Sequence, residues 1–545
     1  MRFRFPLLLF PLLAFSQTSA PNISPGGIVN AASYTGAGAP GSGIAQGALF
    51  SLFGKDLGPS LGVTAQAFPL GKSLAGISVQ VNSRNTTFDA IPVFVSSGQI
   101  NAILPSNTPT GTAQMTVRYN GIPSRPAAIL VVANNIGLFS VNSNGTGPAV
   151  IQNYAAGGTL PLNSKSAPAK PGQVVILYGT GLGAGLNPDD VAPLAGDLNI
   201  PLEIFVGGKL AKKYYSGRSP CCSGLDQITF TLPDDVPVGC YVPLQLRTHG
   251  SEPSNVVTLA ITSDGSGCLE AVRPLGAPAT GNFGSVLLVR AKLATSVASM
   301  PFALTFDQAV AVFRTDAVGD FAYNPYFSPP PLGTCIVSAA PGDLFSSRAL
   351  PGFAEAGKTL NAGTLTIANG TRQVAVRYAR QQYSGDLGYS LPPPLPSPGG
   401  LLDSGPVRIA GLGGSDVGSF SASVSPAPQI TLTSPTTSAI VQRNSGLTVN
   451  WTIDGAPLAN GVIFVAGGTK DSALRNSAAF VCTASANTTG FTVPAAILQR
   501  IPLTSDGVVM ASVFQATPQS TFQASGIKGG AATAASVSAT SVSFR

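Results

Sequence analysis

His249 is the only histidine in this 545-residue chain, and it limits the acid–base chemistry the protein can perform. Gly58-Pro59-Ser60-Leu61-Gly62 fits the G-x-S-x-G pattern that presents a serine nucleophile. Such a serine needs a general base, normally an imidazole oriented by an acid. His249 lies in Thr248-His249-Gly250, at the tip of an expected hairpin, where turn preferences favour an exposed side chain. Tyr178-Gly179-Thr180-Gly181-Leu182-Gly183-Ala184 fits the dinucleotide fingerprint, whose pyrophosphate must rest on a helix N-terminus. Gly185, Pro188 and Pro193 follow and rule out a long helix, so the stretch reads as a sandwich turn. Gly71-Lys72-Ser73 lacks the first glycine of a phosphate loop, because position 66 is Gln66. No catalytic residue and no cofactor-binding residue emerges.

Metal ligation is equally poorly provided for. Asp189-Asp190 and Asp234-Asp235 are adjacent pairs in turns without the D-x-D-x-D-G spacing of a calcium loop. Asp416, in Gly413-Gly414-Ser415-Asp416-Val417-Gly418, reads as a turn cap. Cys221, Cys222, Cys240 and Cys268 crowd together, while Cys335 and Cys482 stand apart, with no C-x-x-C pattern among them. Six thiols allow about 15 pairings. The expectation is local bridges involving Cys240 and one of Cys221 and Cys222, with Cys268 as a partner. The remaining candidates are aromatic. Tyr323, Tyr326 and Phe327, or Tyr214 and Tyr215, are candidate platforms on which sugar rings stack.

The compartment follows from the N-terminus. Arg2 and Arg4 precede an apolar run from Phe5 to Phe15, with Ser16 or Ala20 as the small cleavage residue. Residues 1–20 therefore read as a secretory signal peptide, and the cysteines suit an oxidising destination. No later stretch is apolar for long enough to predict a membrane span. The formal charge of +7 is scattered, with Lys212-Lys213 the adjacent basic pair, which argues against nucleic acid as a partner.

The elements that must carry these residues are strands. Gly 63 and Pro 46 against 10% charged residues is a composition for strands and turns rather than helices. Gly98-Gln99-Ile100-Asn101-Ala102-Ile103-Leu104-Pro105 runs on to Gly111, Met115 and Val117 and reads as a hairpin. It recurs as Asp226-Gln227-Ile228-Thr229-Phe230-Thr231-Leu232-Pro233, then Gly239, so that 99, 105 and 111 map to 227, 233 and 239. Gly47–Gly58 and Gly172–Gly183 repeat similarly, which marks a duplicated domain rather than a solenoid. Short strands at this rhythm predict an all-β chain: tandem immunoglobulin-like sandwiches followed by two further β-rich domains. The expected units are 26–135, 136–265 with a linker at its start, 270–425, and an Ig-like unit at 428–545.

Gly27-Ile28-Val29-Asn30-Ala31-Ala32-Ser33, the FGKDLG turn at 53–58, VSSGQINAILP at 95–105 and LYGTGLG at 177–183 together carry a resemblance. They resemble secreted acidobacterial (Solibacter-type) proteins that bear IPT/TIG-like immunoglobulin domains. The resemblance covers about residues 26–265. It implies secretion and an Ig-like fold, and it brings no catalytic residues. The expected function is that of an exported non-enzymatic β protein for adhesion, matrix or surface display. The alternative is a carbohydrate-binding accessory protein, so the expected partner is an extracellular protein or polysaccharide.

Overall fold

The computed structural model describes residues 19–248, 252–276, 281–297, 300–316, 320–323, 328–341, 358–379, 382–391, 399–403, 405–455, 458–470 and 476–545. Within them the chain is a multi-domain all-β protein. Residues 1–18 of the proposed signal peptide and His249 lie outside the described residues.

Alternation drives the first sandwich. In Ile77–Ser83 every second side chain (Ile77, Val79, Val81, Ser83) is buried, as expected for a strand with one face on a core. That strand pairs with Gly111–Tyr119, which pairs in turn with Ala127–Val132. The opposite layer is Asn22–Asn30, Leu49–Lys55 and Gln99–Ile103. Thr86–Val95 belongs to both layers. Its first half pairs with Ile77–Ser83 and its second with Gln99–Ile103. A bulge between Pro92 and Phe94 marks the second pairing, where proline has no N–H to give to the ladder. Phe50, Leu52, Ile100, Met115 and Val117 fill the space between the layers.

One expected hairpin is an arch. Gln99–Ile103 and Gly111–Tyr119 do not pair with each other; they lie in opposite layers and face one core. Alternating burial fixes which face points inward but not which strand lies alongside. The Leu104 amide bonds to the Ala48 carbonyl at 2.9 Å, and the chain crosses over before Gly111. The copy behaves identically. Asp226–Thr231 pairs with Val174–Thr180 and Lys212–Arg218, and Gly239–Thr248 pairs with Leu202–Val206 and Val257–Ile261. The connection before the copy supplies Gly137–Leu138 and Ile151–Asn153 to the same layer as Val174–Thr180.

Beyond residue 280 a single sheet runs through both remaining segments. Gly281–Val297 and Met300–Asp316 form a long antiparallel pair. Gly281–Val297 also pairs in parallel with Gly529–Phe544, from Phe283↔Gly529 to Ala294↔Thr540. Cys335–Pro341 pairs with Asn476–Ser485, and Cys335 is bonded to Cys482 directly opposite. Two cores are built around this sheet. One gathers Phe313, Tyr383, Phe420 and Phe522, and the other gathers Trp451, Phe480 and Phe544. The Trp451 indole donates to the Thr488 carbonyl at 2.9 Å, satisfying its polar edge inside the core. Ala495–Leu498 is a single helical turn after Pro494. No helix among the described residues is long and apolar enough to cross a membrane.

The Cys335–Cys482 bridge spans a sequence separation of 147. Removing a cross-link of that span costs up to roughly 5 kcal/mol of unfolding free energy by loop entropy. The double variant C335A/C482A should therefore unfold at clearly lower urea concentration, read by Trp451 fluorescence; an unchanged midpoint would contradict this role.

Candidate functional site

Two of the stretches singled out for chemistry, the GTGLG turn and Asp189, meet at one place, the joint between the two repeats. Asn30 ends the first strand, and its side-chain amide is fully used. Oδ1 accepts from the amides of Ala32 (2.9 Å) and Ser33 (3.1 Å); Nδ2 donates to the carbonyls of Thr180 (3.2 Å) and Asn135 (3.3 Å). Asn135 donates to the carbonyls of Gly41 (2.7 Å) and Gly43. Thr180 Oγ1 accepts from the Leu49 amide at 2.8 Å and donates to the Gly224 carbonyl at 2.6 Å. The GTGLG turn thus holds its own neighbouring domain.

An ion pair lies behind that turn. Arg218 and Asp226 are 4% and 0% exposed and joined to each other, removed from water between the two sandwiches. Arg218 Nη2 donates to the carbonyls of Gly183 and Gly47, the latter across the joint at 3.3 Å. The Leu182 amide donates to Asp226 at 2.7 Å. Burial pushes the Asp226 carboxyl upward, against the pull of the Arg218 charge and of the Leu182 and Gly181 amides. Position 47 admits only glycine, since its φ is +69° and a Cβ there would strike the guanidinium. Asp189 is also engaged, accepting from the amide and hydroxyl of Ser106, both at 2.7 Å. What this arrangement does chemically is bind two domains together.

A second joint is centred on Arg500, just after the helical turn. Its buried guanidinium donates to the carbonyls of Pro40 (2.9 Å) and Pro253 (3.2 Å) and to Thr35 Oγ1 (2.8 Å). It therefore ties the C-terminal region to both sandwiches. Burial pulls its pKa down to about 10, with the charge of Glu252 working the other way.

The four crowded cysteines all lie in local bridges, with Cys268 as the partner of Cys240. Cys240 is bonded to Cys268, and Cys221 is bonded to its neighbour Cys222 rather than to either of them. The reason is placement: Cys240 is buried in Gly239–Thr248 beside Tyr241, whereas Cys221 and Cys222 sit exposed in the turn before Asp226–Thr231.

The aromatic candidates also separate. Tyr323 is half-buried and packs tilted against Tyr241, with ring centroids 5.4 Å apart. Burial raises the pKa of both phenols, and Tyr241 donates to the Ala322 carbonyl at 2.7 Å. Tyr326 and Phe327 lie outside the described residues. Tyr215 is engaged within its own sheet, donating to the Arg218 carbonyl at 2.7 Å, while Tyr214 is exposed under the Lys212 ammonium at 5.4 Å. Ser60 is exposed.

Sequence reasoning missed a groove of about 370 Å³, lined by Leu304, Phe306, Gln308, Asp386, Tyr389 and Leu391. The i, i+2 spacing of Leu304, Phe306 and Gln308 was its one local signal, placing all three on one strand face. Tyr389 comes alongside because Gln382–Ser390 pairs with Met300–Asp316, setting Tyr389 opposite Phe306. Asp307 at the groove floor is committed to Arg290, with two bonds of 2.8 Å.

No family model and no curated protein matches the sequence. Among solved structures the chain is similar to E. coli alpha-2-macroglobulin in its native conformation, at 11% identity over 91% of this chain and 45% of that one, with a TM-score of 0.14. The chain thus spans less than half the length of that protein. It is also similar to domains 4–9 of the surface layer protein SbsC (9% identity, 86% and 74% covered, TM-score 0.11). The N-terminal four Ig domains of Dscam1 isoform 8.4 are another neighbour (10% identity, 92% and 96% covered, TM-score 0.12). TM-scores of this size carry no argument, and the architecture rests on the strand pairings above.

Two substitutions test the joints. Asp226→Ala leaves a buried guanidinium unpaired and should cost about 3–5 kcal/mol in urea unfolding, whereas R218M/D226L should recover most of that loss. Arg500→Ala strands three acceptors and should cost about 2–4 kcal/mol; a midpoint equal to the parent's would show that Arg500 holds nothing together.

Proposed function

We propose that this chain is an exported, non-enzymatic structural protein that holds β domains in fixed relation for adhesion or display outside the cytoplasm. One observation carries the reading. The residues with the most chemical potential, Arg218, Asp226, Asp189 and the GTGLG turn, are spent on closing the joint between repeats. An enzyme keeps such groups facing a cleft. Disulfides support the extracytoplasmic setting, since such bonds persist in oxidising compartments.

A second reading, polysaccharide recognition, is favoured by the groove at Tyr389. Tyr389 is 41% exposed and stands opposite Phe306, with the Gln308 amide and Asp386 carboxylate at the edge. An aromatic face beside hydrogen-bonding groups suits a sugar's C–H face and its hydroxyls.

Cell fractionation should place the chain outside the cytoplasm with its first 16 or 20 residues removed, and a cytoplasmic chain of full length would contradict export. On a polysaccharide array, any glycan held by the parent should be lost by Tyr389→Ala, with retention falling at least about tenfold. Unchanged retention would remove the groove from consideration.

A further inference from the structure

The Cys221–Cys222 bridge has no stabilising role that the chain's other bridges do not fill better. A cross-link stabilises by restricting the unfolded chain, and a bridge between adjacent residues closes too short a loop to restrict much. Access also sets it apart. Cys240, Cys268, Cys335 and Cys482 are all buried, whereas Cys221 and Cys222 face solvent. Attack on a disulfide requires a thiolate to reach a sulfur, so access selects the bond that exchanges.

The turn that carries this bridge is part of the joint. Ser219 and Leu225 close it with a 2.9 Å backbone bond, and the Leu225 amide returns to the Cys222 carbonyl at 3.2 Å. Ser223 donates to the Val191 carbonyl at 3.0 Å. Gly224 sits so close to the first sandwich that a Cβ there would lie 2.8 Å from Leu49 and 3.1 Å from Ile103. Its carbonyl receives the Thr180 hydroxyl that also holds the Leu49 amide. The conformation of the bridged pair is therefore coupled, through two residues of chain, to the contact between sandwiches.

We propose that Cys221–Cys222 is a thiol–disulfide exchange site for an external dithiol, and that opening it loosens the joint between the two repeats. A thiolate of the dithiol attacks Cys222 Sγ, forming a mixed disulfide as the Cys221–Cys222 bond breaks. Cys221 leaves as a thiolate next to the Ser219 hydroxyl, which lies 3.6 Å from its sulfur and can donate to it. The second thiolate of the dithiol then attacks the reagent's own sulfur and displaces Cys222. The dithiol is oxidised to its cyclic disulfide, the protein gains two electrons, and the two cysteine thiolates take up the two protons released by the reagent. The site is thus one at which the chain's domain arrangement responds to the redox state of its surroundings.

The test uses the intact mature chain in dithiothreitol without denaturant, with timed alkylation and peptide mass mapping. Cys221 and Cys222 should be alkylated at least about tenfold faster than the four buried cysteines. Peptides carrying Leu49 and Gly224 should then exchange amide hydrogen severalfold faster than in the oxidised chain. The C221S/C222S variant should show that faster exchange without reductant. Alkylation of all six cysteines at one rate would overturn the proposal. So would selective opening that leaves exchange at Leu49 and Gly224 unchanged, or a serine variant that exchanges like the oxidised parent.

Discussion

A guanidinium taken out of water is among the most costly groups a protein can bury, and it persists only where its neighbours are arranged to hold it. This chain places one at each of two joints. Arg218 is neutralised by Asp226 and spans to the Gly47 carbonyl of the neighbouring sandwich. Arg500 is held by carbonyl and hydroxyl oxygens from both sandwiches at once. Each requires its surroundings to be in register, because a shifted partner leaves a buried charge unmatched. That requirement gives a joint a unique geometry, where an apolar patch would tolerate sliding. Asn30 reinforces the first joint, its side-chain amide donating to the Thr180 carbonyl of the second repeat and to the Asn135 carbonyl.

The C-terminal region solves the same problem by a different route. Instead of docking two finished sandwiches, it threads one sheet through both segments and builds a core against each part of it. Main-chain hydrogen bonds along Gly281–Val297 and Gly529–Phe544 do there what side-chain clamps do in the N-terminal half. Both devices fix the relative positions of domains.

The sequence made the strands legible and left the contacts between them hidden. Ile77, Val79 and Val81 announce a half-buried strand, and the repeat of Gln99 at Gln227 announces a duplicated unit. Periodicity speaks only about faces, so Gln99–Ile103 and Gly111–Tyr119 read as neighbours when they are opposite layers. One sheet runs through both expected units 270–425 and 428–545, since Gly281–Val297 and Gly529–Phe544 pair although more than two hundred residues apart. The joints were equally invisible, since Asn30 meets Thr180 and Arg500 meets Thr35 across long stretches of chain. The groove escaped because Phe306 and Tyr389 become neighbours only through strand pairing.

The rigidity of the joint between them makes the two repeats one fixed body. It is tested most directly by the distance between spin labels placed at the exposed positions Thr87 and Lys212, one in each sandwich, in the oxidised mature chain. A joint closed by Arg218, Asp226 and Asn30 predicts a single narrow distance distribution that stays unchanged in urea until the protein unfolds. A broad distribution in native buffer, as from two domains turning on a free linker, would contradict it.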